Sequence, residues 1–147
     1  MTFLRIIAGA VFLLASGGAH ALEFKSVGQA PAILYDGPSL KAGKLFIAPP
    51  GMPVEVVLGY GEWVKVRDMS GDMAWTEARL LSVRRNVIVR GANAKVGPTP
   101  DEAGTALMSA DRGVLLELAD PQVTDWVKVR HKDGIIGYIK AIDIWGI

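Results

Sequence analysis

Short apolar runs, separated by Gly, Pro, Ser and Asp, dominate the chain after residue 21, and none keeps a helical spacing for ten or more residues. Runs of four to six apolar or β-branched residues between such breaks are typical of strands. In the first half, the runs that predict strands are 32–35, 54–58, 63–67 and 72–75. In the second half they are 87–90, 114–119, 126–130 and 135–139. The pattern therefore predicts an all-β protein.

The strand pattern occurs twice along the chain. Trp-Val-Lys-Val-Arg occurs at 63–67 and again at 126–130, an offset of 63 residues. Upstream, Gly51 matches Gly113 at an offset of 62, and the Gly-Pro pair at 37–38 matches the pair at 97–98 at an offset of 60. Such self-similarity predicts two copies of one small unit, with insertions or deletions in the loops. We place a first unit at residues 22–82 and a second at 83–147. Five or so strands in about 60 residues predict a small bent barrel, and the short joint 83–86 predicts that the two barrels touch.

One turn is indicated by sequence alone. Asp133-Gly134 stands between two strand runs, and both residue types tolerate the positive φ of a two-residue type I′ turn. Ser70-Gly71 is the weaker counterpart in the first unit.

The first 21 residues are predicted to be a cleavable export signal. They contain Arg5, an apolar run at 6–15, and small residues that end in Ala19-His20-Ala21. A membrane-spanning helix needs roughly 20 apolar residues, about twice the length of this run. We expect cleavage after Ala21, with Ala19 and Ala21 as the recognised pair, and a mature protein in the periplasm. An uncleaved anchor at the membrane surface is the alternative.

Charge and composition narrow the function. The chain has 16 Lys plus Arg, 15 Asp plus Glu and no cysteine. Loss of the signal removes one basic residue and no acidic one, so the mature net charge is zero, whereas nucleic-acid binders usually have a basic surface. Without cysteine there is no thiol chemistry, no disulfide and no lipidated cysteine. We therefore expect no nucleic-acid partner and no stable membrane anchor after cleavage.

The repeated motifs resemble those of the bacterial Src-homology-3 (SH3b) domains, which occur in tandem on exported proteins. The matching features are Gly37-Pro38-Ser39, Gly97-Pro98-Thr99, Gly51, Gly113, the Trp-x-x-Val at 63–66 and 126–129, and Gly134-x-x-Gly137-Tyr138-Ile139. The resemblance covers essentially the whole mature chain. It implies two SH3-like barrels and the binding of a cell-wall peptide, another peptide or a protein. Lys140 stands where proline-groove binders carry a proline, so PxxP ligands are not expected.

The alternation of side chains between the two faces of a strand indicates where a ligand would bind. If Val64 and Val66 form the core, then Trp63, Lys65 and Arg67 share the opposite face. The same alternation in the second unit puts Trp126, Lys128 and Arg130 together. A tryptophan beside cations suits a peptide or sugar that carries carboxylates. Tyr35 and Tyr138 are further candidates, with Tyr60 and Trp75. The alternative is that each tryptophan is buried in a secondary core or between the units.

Catalytic chemistry has few candidate residues. His131 is the only histidine of the mature chain, and no Gly-x-Ser-x-Gly elbow accompanies it. His131 with Asp133 gives at most two metal ligands, and Asp101-Glu102 lies in a loop after Pro100, a usual setting for solvated charges. We expect a non-enzymatic binding module without metal or cofactor, with peptidoglycan peptide or an envelope protein as its partner. A structural scaffold without a small-ligand site is the alternative, and a small hydrolase is a remote third.

Overall fold

The computed structural model describes residues 22–147, so the predicted signal, with Ala19 and Ala21, lies outside the described residues. Within that part the chain is all-β, as predicted, with two single-turn 3₁₀ segments. The first unit is one antiparallel sheet in the order β3-β2-β6-β5-β4-β1-β7. Its strands are β1 (Glu23–Val27), β2 (Ala32–Tyr35), β3 (Lys44–Ala48), β4 (Pro53–Tyr60), β5 (Trp63–Arg67), β6 (Met73–Glu77) and β7 (Leu81–Ser82). A 3₁₀ turn at Ala78–Leu80 connects the last two strands.

The second unit repeats this plan in two pieces. A five-stranded sheet has the order β13-β12-β11-β8-β14, and β9 pairs with β10 beside it. The strands are β8 (Asn86–Val89), β9 (Ala94–Val96), β10 (Met108–Ala110), β11 (Leu115–Leu118), β12 (Trp126–Arg130), β13 (Ile136–Lys140) and β14 (Ile144–Trp145). A bridge between Gly97 and Tyr138 joins the pieces. The 3₁₀ turn at Ala141–Asp143 corresponds to the one in the first unit.

Each unit has its own apolar core. In the first, Val54 and Val66 are fully buried, and Val64 packs against the same cluster. In the second, Val127 and Val129 are buried beside Leu116, Ile139 and other residues. The predicted alternation of β5 and β12 is therefore confirmed: the valines face inward, and the tryptophans and cations face outward.

The predicted type I′ turn at Asp133-Gly134 is wrong. The amide of Gly134 donates to the carbonyl of His131 at 2.9 Å, and His131 donates to Ile135 at 2.8 Å, which makes a three-residue loop. Gly134 has φ +91° and Asp133 is not in the positive-φ region. A type I turn followed by a glycine bulge fits these values, because only one residue then needs positive φ. The first unit has the same loop at residues 69–71, closed by the amide of Gly71.

The repeat register also differs from the sequence alignment. Tyr35 pairs with Trp75 in the first unit, and Gly97 pairs with Tyr138 in the second, so Tyr35 and Gly97 are equivalent. Likewise Ala32 pairs with Ala48, as Ala94 does with Ala110. The offset is thus 62 across the first loop, and the Gly-Pro match at an offset of 60 was accidental. The offset becomes 63 only after β11, where the Glu117–Arg130 pairing corresponds to Glu55–Arg67.

The units touch at the joint, as its shortness predicted. Asn86, the first residue of β8, donates from its side-chain amide to the carbonyl of Gly51 at 3.0 Å. Its backbone amide donates to the hydroxyl of Ser26 at 3.3 Å. Phe24 of the first unit meets Trp145 of the second. The residue that opens the second barrel is therefore also anchored to the first.

Candidate functional site

On the outer face of the first unit, most aromatic and charged side chains contact one another. The ring of Trp63 meets the ring of Tyr35 edge-on, with centroids 5.4 Å apart. Tyr35 is only 5% exposed, so most of its surface is packed inside the protein. Trp63 is itself half-buried. The two aromatic candidates of this unit are thus close together, and one of them occupies the space that a ligand would need.

The cations of this face also have partners. The Nζ of Lys65 lies 6.0 Å from the ring centroid of Trp75, within the usual reach of a cation–π contact. Arg67 pairs with Glu55 at 3.3 Å. Tyr60, 66% exposed, meets Trp75 edge-on at 6.5 Å. The aromatic rings and cations of this outer face therefore contact one another or a nearby acid.

In the second unit Trp126 is half-buried, and the Nζ of Lys140 lies 5.8 Å from its ring centroid. Trp126 and Lys140 are direct cross-strand neighbours. Lys140 also forms an ion pair with Glu102, from the loop between β9 and β10. Of the other predicted binding residues, Lys128 lies opposite Tyr138 in the sheet, and Arg130 is exposed and pairs with Glu117 at 3.4 Å.

A cleft of about 420 Å³ opens beside Trp126. One wall is Trp126 and Lys140 on adjacent strands, and the other is the loop at 97–107 with the start of β9. The lining residues are Asn93, Ala94, Lys95, Gly97, Asp101, Glu102, Ala103, Gly104, Ala106, Trp126, Lys140 and Asp143. The structure therefore brings Trp126 into a concave site, whereas Lys128 and Arg130 are not among its lining residues.

Gly97 explains the difference between the two units at this place. It is equivalent to Tyr35, whose ring packs on Trp63 in the first unit. A glycine leaves that volume empty, and Gly97 lines the cleft. The flanking loops have equal length in the two units, since the offset of 62 holds on both sides. The open site of the second unit therefore does not arise from a loop insertion, and Gly97 in place of Tyr35 provides its space.

The cleft carries charges of both signs. Two lysines, Lys95 and Lys140, face three acids, Asp101, Glu102 and Asp143. Hydrogen bonding and charge from Lys140 lower the pKa of Glu102 below its usual 4.5, and the same two effects of Glu102 raise the pKa of Lys140 above 10.5. Lys95 donates to the hydroxyl of Ser109 at 2.6 Å and to Asn93 at 3.3 Å. Asp101 is turned toward its own loop and accepts from Thr99 and the amide of Ala103, both at 2.8 Å.

Sequence reasoning missed most of this site. Glu102 is exposed, as expected of a solvated loop charge, but it pairs with Lys140 across the cleft. Lys95 and Asp143 belong to no recognised motif, and the Gly-Pro match pairs Gly97 with Gly37 instead of Tyr35. A correct alignment of the repeats would have shown Gly97 against Tyr35 and Lys95 against Ile33, and that contrast is the signal that was available.

The remaining chemical candidates are dispersed. His131 and Asp133 pair at 3.3 Å at the tip of the β12–β13 hairpin. Among residues 22–147 no group of three His, Asp or Glu side chains is placed to hold a metal ion. Over the same residues, no helix is long and apolar enough to cross a bilayer.

The sequence model described as "Bacterial SH3 domain" matches the chain twice, at residues 28–82 and 90–146. The two matches fall on the two sheet regions and together cover more than half of the chain. This protein belongs to the bacterial SH3 domain family and carries the domain in tandem. The resemblance predicted from the Trp-x-x-Val and glycine motifs is thereby confirmed. Domains of this family are in general binding modules.

Two solved structures are similar to the chain, NlpC2 and NlpC1 from Trichomonas vaginalis. NlpC2 is 13% identical with a TM-score of 0.39, over 85% of this chain and 48% of its own. NlpC1 is 14% identical with a TM-score of 0.39, over 92% of this chain and 49% of its own. The chain thus spans about half the length of each. No curated protein matches the sequence.

Proposed function

We propose that this protein is a non-catalytic, exported binding module that works in the periplasm and recognises the peptide part of the cell wall. The cleft beside Trp126 carries the proposal, because it is a concave site with an aromatic wall and an ammonium group, Lys140, at its rim. Membership in a family of binding modules supports the general class. The signal-like residues 1–21 support export.

The chemistry of the cleft suits a short peptide. The Trp126 ring offers apolar area to a small side chain, and Lys140 and Lys95 attract carboxylates. Asp101, Glu102 and Asp143 attract amines. A peptide stem with both kinds of group would find partners here, whereas a proline-rich helix needs a groove lined by aromatic rings.

Sedimentation with purified cell-wall sacculi tests this function. The mature chain, residues 22–147, is expected to pellet with the sacculi, and the variant with both Trp63→Ala and Trp126→Ala is expected to stay in the supernatant. Val83→Ala is the control, because Val83 is 83% exposed and lies in the joint. No retention of the unaltered chain, or retention equal in all three proteins, would refute wall binding. Circular dichroism of each variant separates lost binding from lost folding.

Export has its own test. The full chain with a C-terminal tag, expressed in a Gram-negative host, should be released by osmotic shock and should begin at Leu22. Replacing Ala19 and Ala21 by larger residues should leave an uncleaved precursor. Recovery of the unaltered chain in the cytoplasm with Met1 retained would refute the export proposal.

One observation favours a second candidate function, a scaffold that recruits an envelope protein by strand addition. β3 is an edge strand of the first sheet, and three consecutive apolar residues on it, Leu45, Phe46 and Ile47, are 49–65% exposed. Exposed apolar edges of this kind are sites where another strand pairs. In-cell cross-linking from position 47 should then capture one defined protein, and Ile47→Lys should abolish that product while leaving sacculus binding unchanged.

A further inference from the structure

The two units differ at the place where the cleft forms in more than one residue. With the structural register, Gly97 replaces Tyr35, Glu102 replaces Leu40 and Lys140 replaces Glu77. The first unit thus has the Tyr35 ring and the apolar Leu40 at this place. The second unit has open space beside Gly97 and an ion pair between Glu102 and Lys140. These substitutions together create a site for a charged ligand in the second unit and exclude one from the first.

The charges of the cleft restrict that ligand. Two lysines and three acids give the lining a net charge of −1. A ligand with only negative groups would be repelled by the surplus acid once it reached Lys140. A ligand with only positive groups would leave Lys140 without a partner if it drew Glu102 away. A ligand with one group of each sign avoids both costs.

The ion pair between Glu102 and Lys140 indicates which ligand groups the cleft can bind. Glu102 presents a carboxylate to an ammonium that lies over the Trp126 ring. Both side chains are solvent-accessible, 74% for Glu102 and 44% for Lys140, so parting them exposes little new polar surface. A carboxylate on a ligand offers Lys140 the same interaction, and an ammonium on that ligand offers Glu102 a replacement partner.

We propose that the second unit alone binds a small zwitterionic ligand, such as the end of a short peptide or a diamino acid, whose carboxylate takes Lys140 from Glu102 and whose ammonium pairs with Glu102. Gly97 provides the room, and Trp126 covers the apolar part of the ligand. This inference rests on the proposed function, since it names the ligand class of the same cleft. The first unit is closed to this ligand by its own Tyr35.

Three alanine dipeptides that differ only in their terminal charges test whether the ligand needs both a carboxylate and an ammonium group. Alanyl-alanine carries both charges, acetyl-alanyl-alanine only the carboxylate, and alanyl-alanine amide only the ammonium. Each is titrated into the mature chain while the indole N–H signals of Trp63 and Trp126 are followed by NMR. The Trp126 signal should shift saturably with alanyl-alanine, with affinity at least about tenfold above that of either blocked probe, and Trp63 should not shift.

Two variants test the residues. Gly97→Tyr should abolish the Trp126 shift; a Cβ there meets only the Thr99 carbonyl at 3.9 Å, so the backbone tolerates it. Glu102→Gln frees Lys140, so affinity for acetyl-alanyl-alanine should rise several-fold while the preference for alanyl-alanine disappears. Glu117→Gln is the matched control, because it removes an ion pair elsewhere in the same unit and should change neither affinity.

The outcomes separate this inference from the proposed function. Equal affinity for the three probes, no Trp126 shift with any of them, or an equal Trp63 shift would overturn the inference. An unchanged charge preference in Glu102→Gln would overturn it as well. Sacculus retention could still hold in each of these cases, whereas probe binding with no sacculus retention would support the ligand class and refute wall binding.

Discussion

The ring of Phe24 meets the ring of Trp145 edge-on across the boundary between the two units, with centroids 5.2 Å apart. Arg85, from the joint, lies over the Phe24 ring, with its guanidinium carbon 5.6 Å from the ring centroid. Arg85 also donates to the carbonyl of Gly146 at 2.9 Å. Phe24 is buried, and these contacts link a residue at the start of the first unit to the end of the second.

The two rings should therefore be energetically coupled. We expect Phe24→Ala to lower the free energy of unfolding by about 3 kcal/mol, as is usual when a buried aromatic residue is removed. In a double-mutant cycle with Trp145→Ala, urea unfolding should give a coupling energy of roughly 0.5–1.5 kcal/mol. Phe24→Ala combined with Tyr60→Ala is the control and should be additive. Additivity of the Phe24 and Trp145 changes would show that these two rings are not energetically coupled.

Gly71 in the β5–β6 hairpin and Gly134 in the β12–β13 hairpin should be similarly sensitive to substitution. Gly71 has φ +87° and Gly134 has φ +91°, and a Cβ at either would contact nothing within 4 Å. The cost of Gly→Ala at these sites is therefore conformational, about 1–2 kcal/mol in the free energy of unfolding, measured in urea.

Gly59→Ala is the matched control for the hairpins. A Cβ at Gly59 also meets nothing within 4 Å, but its φ lies outside the positive range. This change should leave the free energy of unfolding within about 0.5 kcal/mol of its original value. Equal effects at all three positions would contradict the assignment of a positive-φ bulge to both hairpins.

Gly137 is needed for a different reason, which is close packing. A Cβ at this position would lie 2.6 Å from the Gly97 carbonyl oxygen and 2.8 Å from a methyl group of Val96. Gly137→Ala should therefore force β13 and β9 apart, at a cost of roughly 1–3 kcal/mol in unfolding free energy, and should broaden the Trp126 indole signal. The equivalent residue of the first unit is Ala74, so Ala74→Gly should not mimic this broadening. An unchanged Trp126 signal in Gly137→Ala would contradict the contact.

The ion pair at the cleft predicts a pH dependence. Because Lys140 lowers the pKa of Glu102, the pairing stabilises the folded chain above pH 4.5, and this contribution is lost as the pH falls through the lowered value. Because Glu102 raises the pKa of Lys140, the contribution is present below pH 10.5 and is lost as the pH rises through the raised value. Carbon-detected NMR of the Glu102 carboxyl should show a midpoint below 4.5. In Lys140→Met the midpoint should return toward 4.5, and failure to move would exclude the pairing.

Local sequence signals predicted the strands well where pattern and burial coincide. The bounds at 32–35, 63–67 and 126–130 are correct, and the alternation of valines with tryptophan and cations is confirmed. β1, β3, β7, β9, β10 and β14 were not predicted. β9 and β10 have three residues each, too few to show alternation, and β3 carries its apolar side chains on both faces, so it has no period of two.

The site was harder to predict because its geometry is long-range. Glu102 reaches Lys140 across 38 positions of sequence, and no spacing rule links a loop acid to a strand lysine. The accidental Gly-Pro match also hid the equivalence of Tyr35 and Gly97. The turn at Asp133-Gly134 was predicted wrongly because this residue pair fits two turn types. The hydrogen bond from the Gly134 amide to the His131 carbonyl distinguishes them.

The anchoring of Asn86 to Gly51 and Ser26 has a consequence for avidity. With residues 83–85 as the only stretch between β7 and β8, and both of its ends hydrogen-bonded, the joint has almost no slack. The short joint and these hydrogen bonds restrict the spacing between the cleft of the second unit and the β3 edge of the first. A partner that reaches both surfaces at that spacing would gain from high effective concentration, and one of the wrong length would gain nothing.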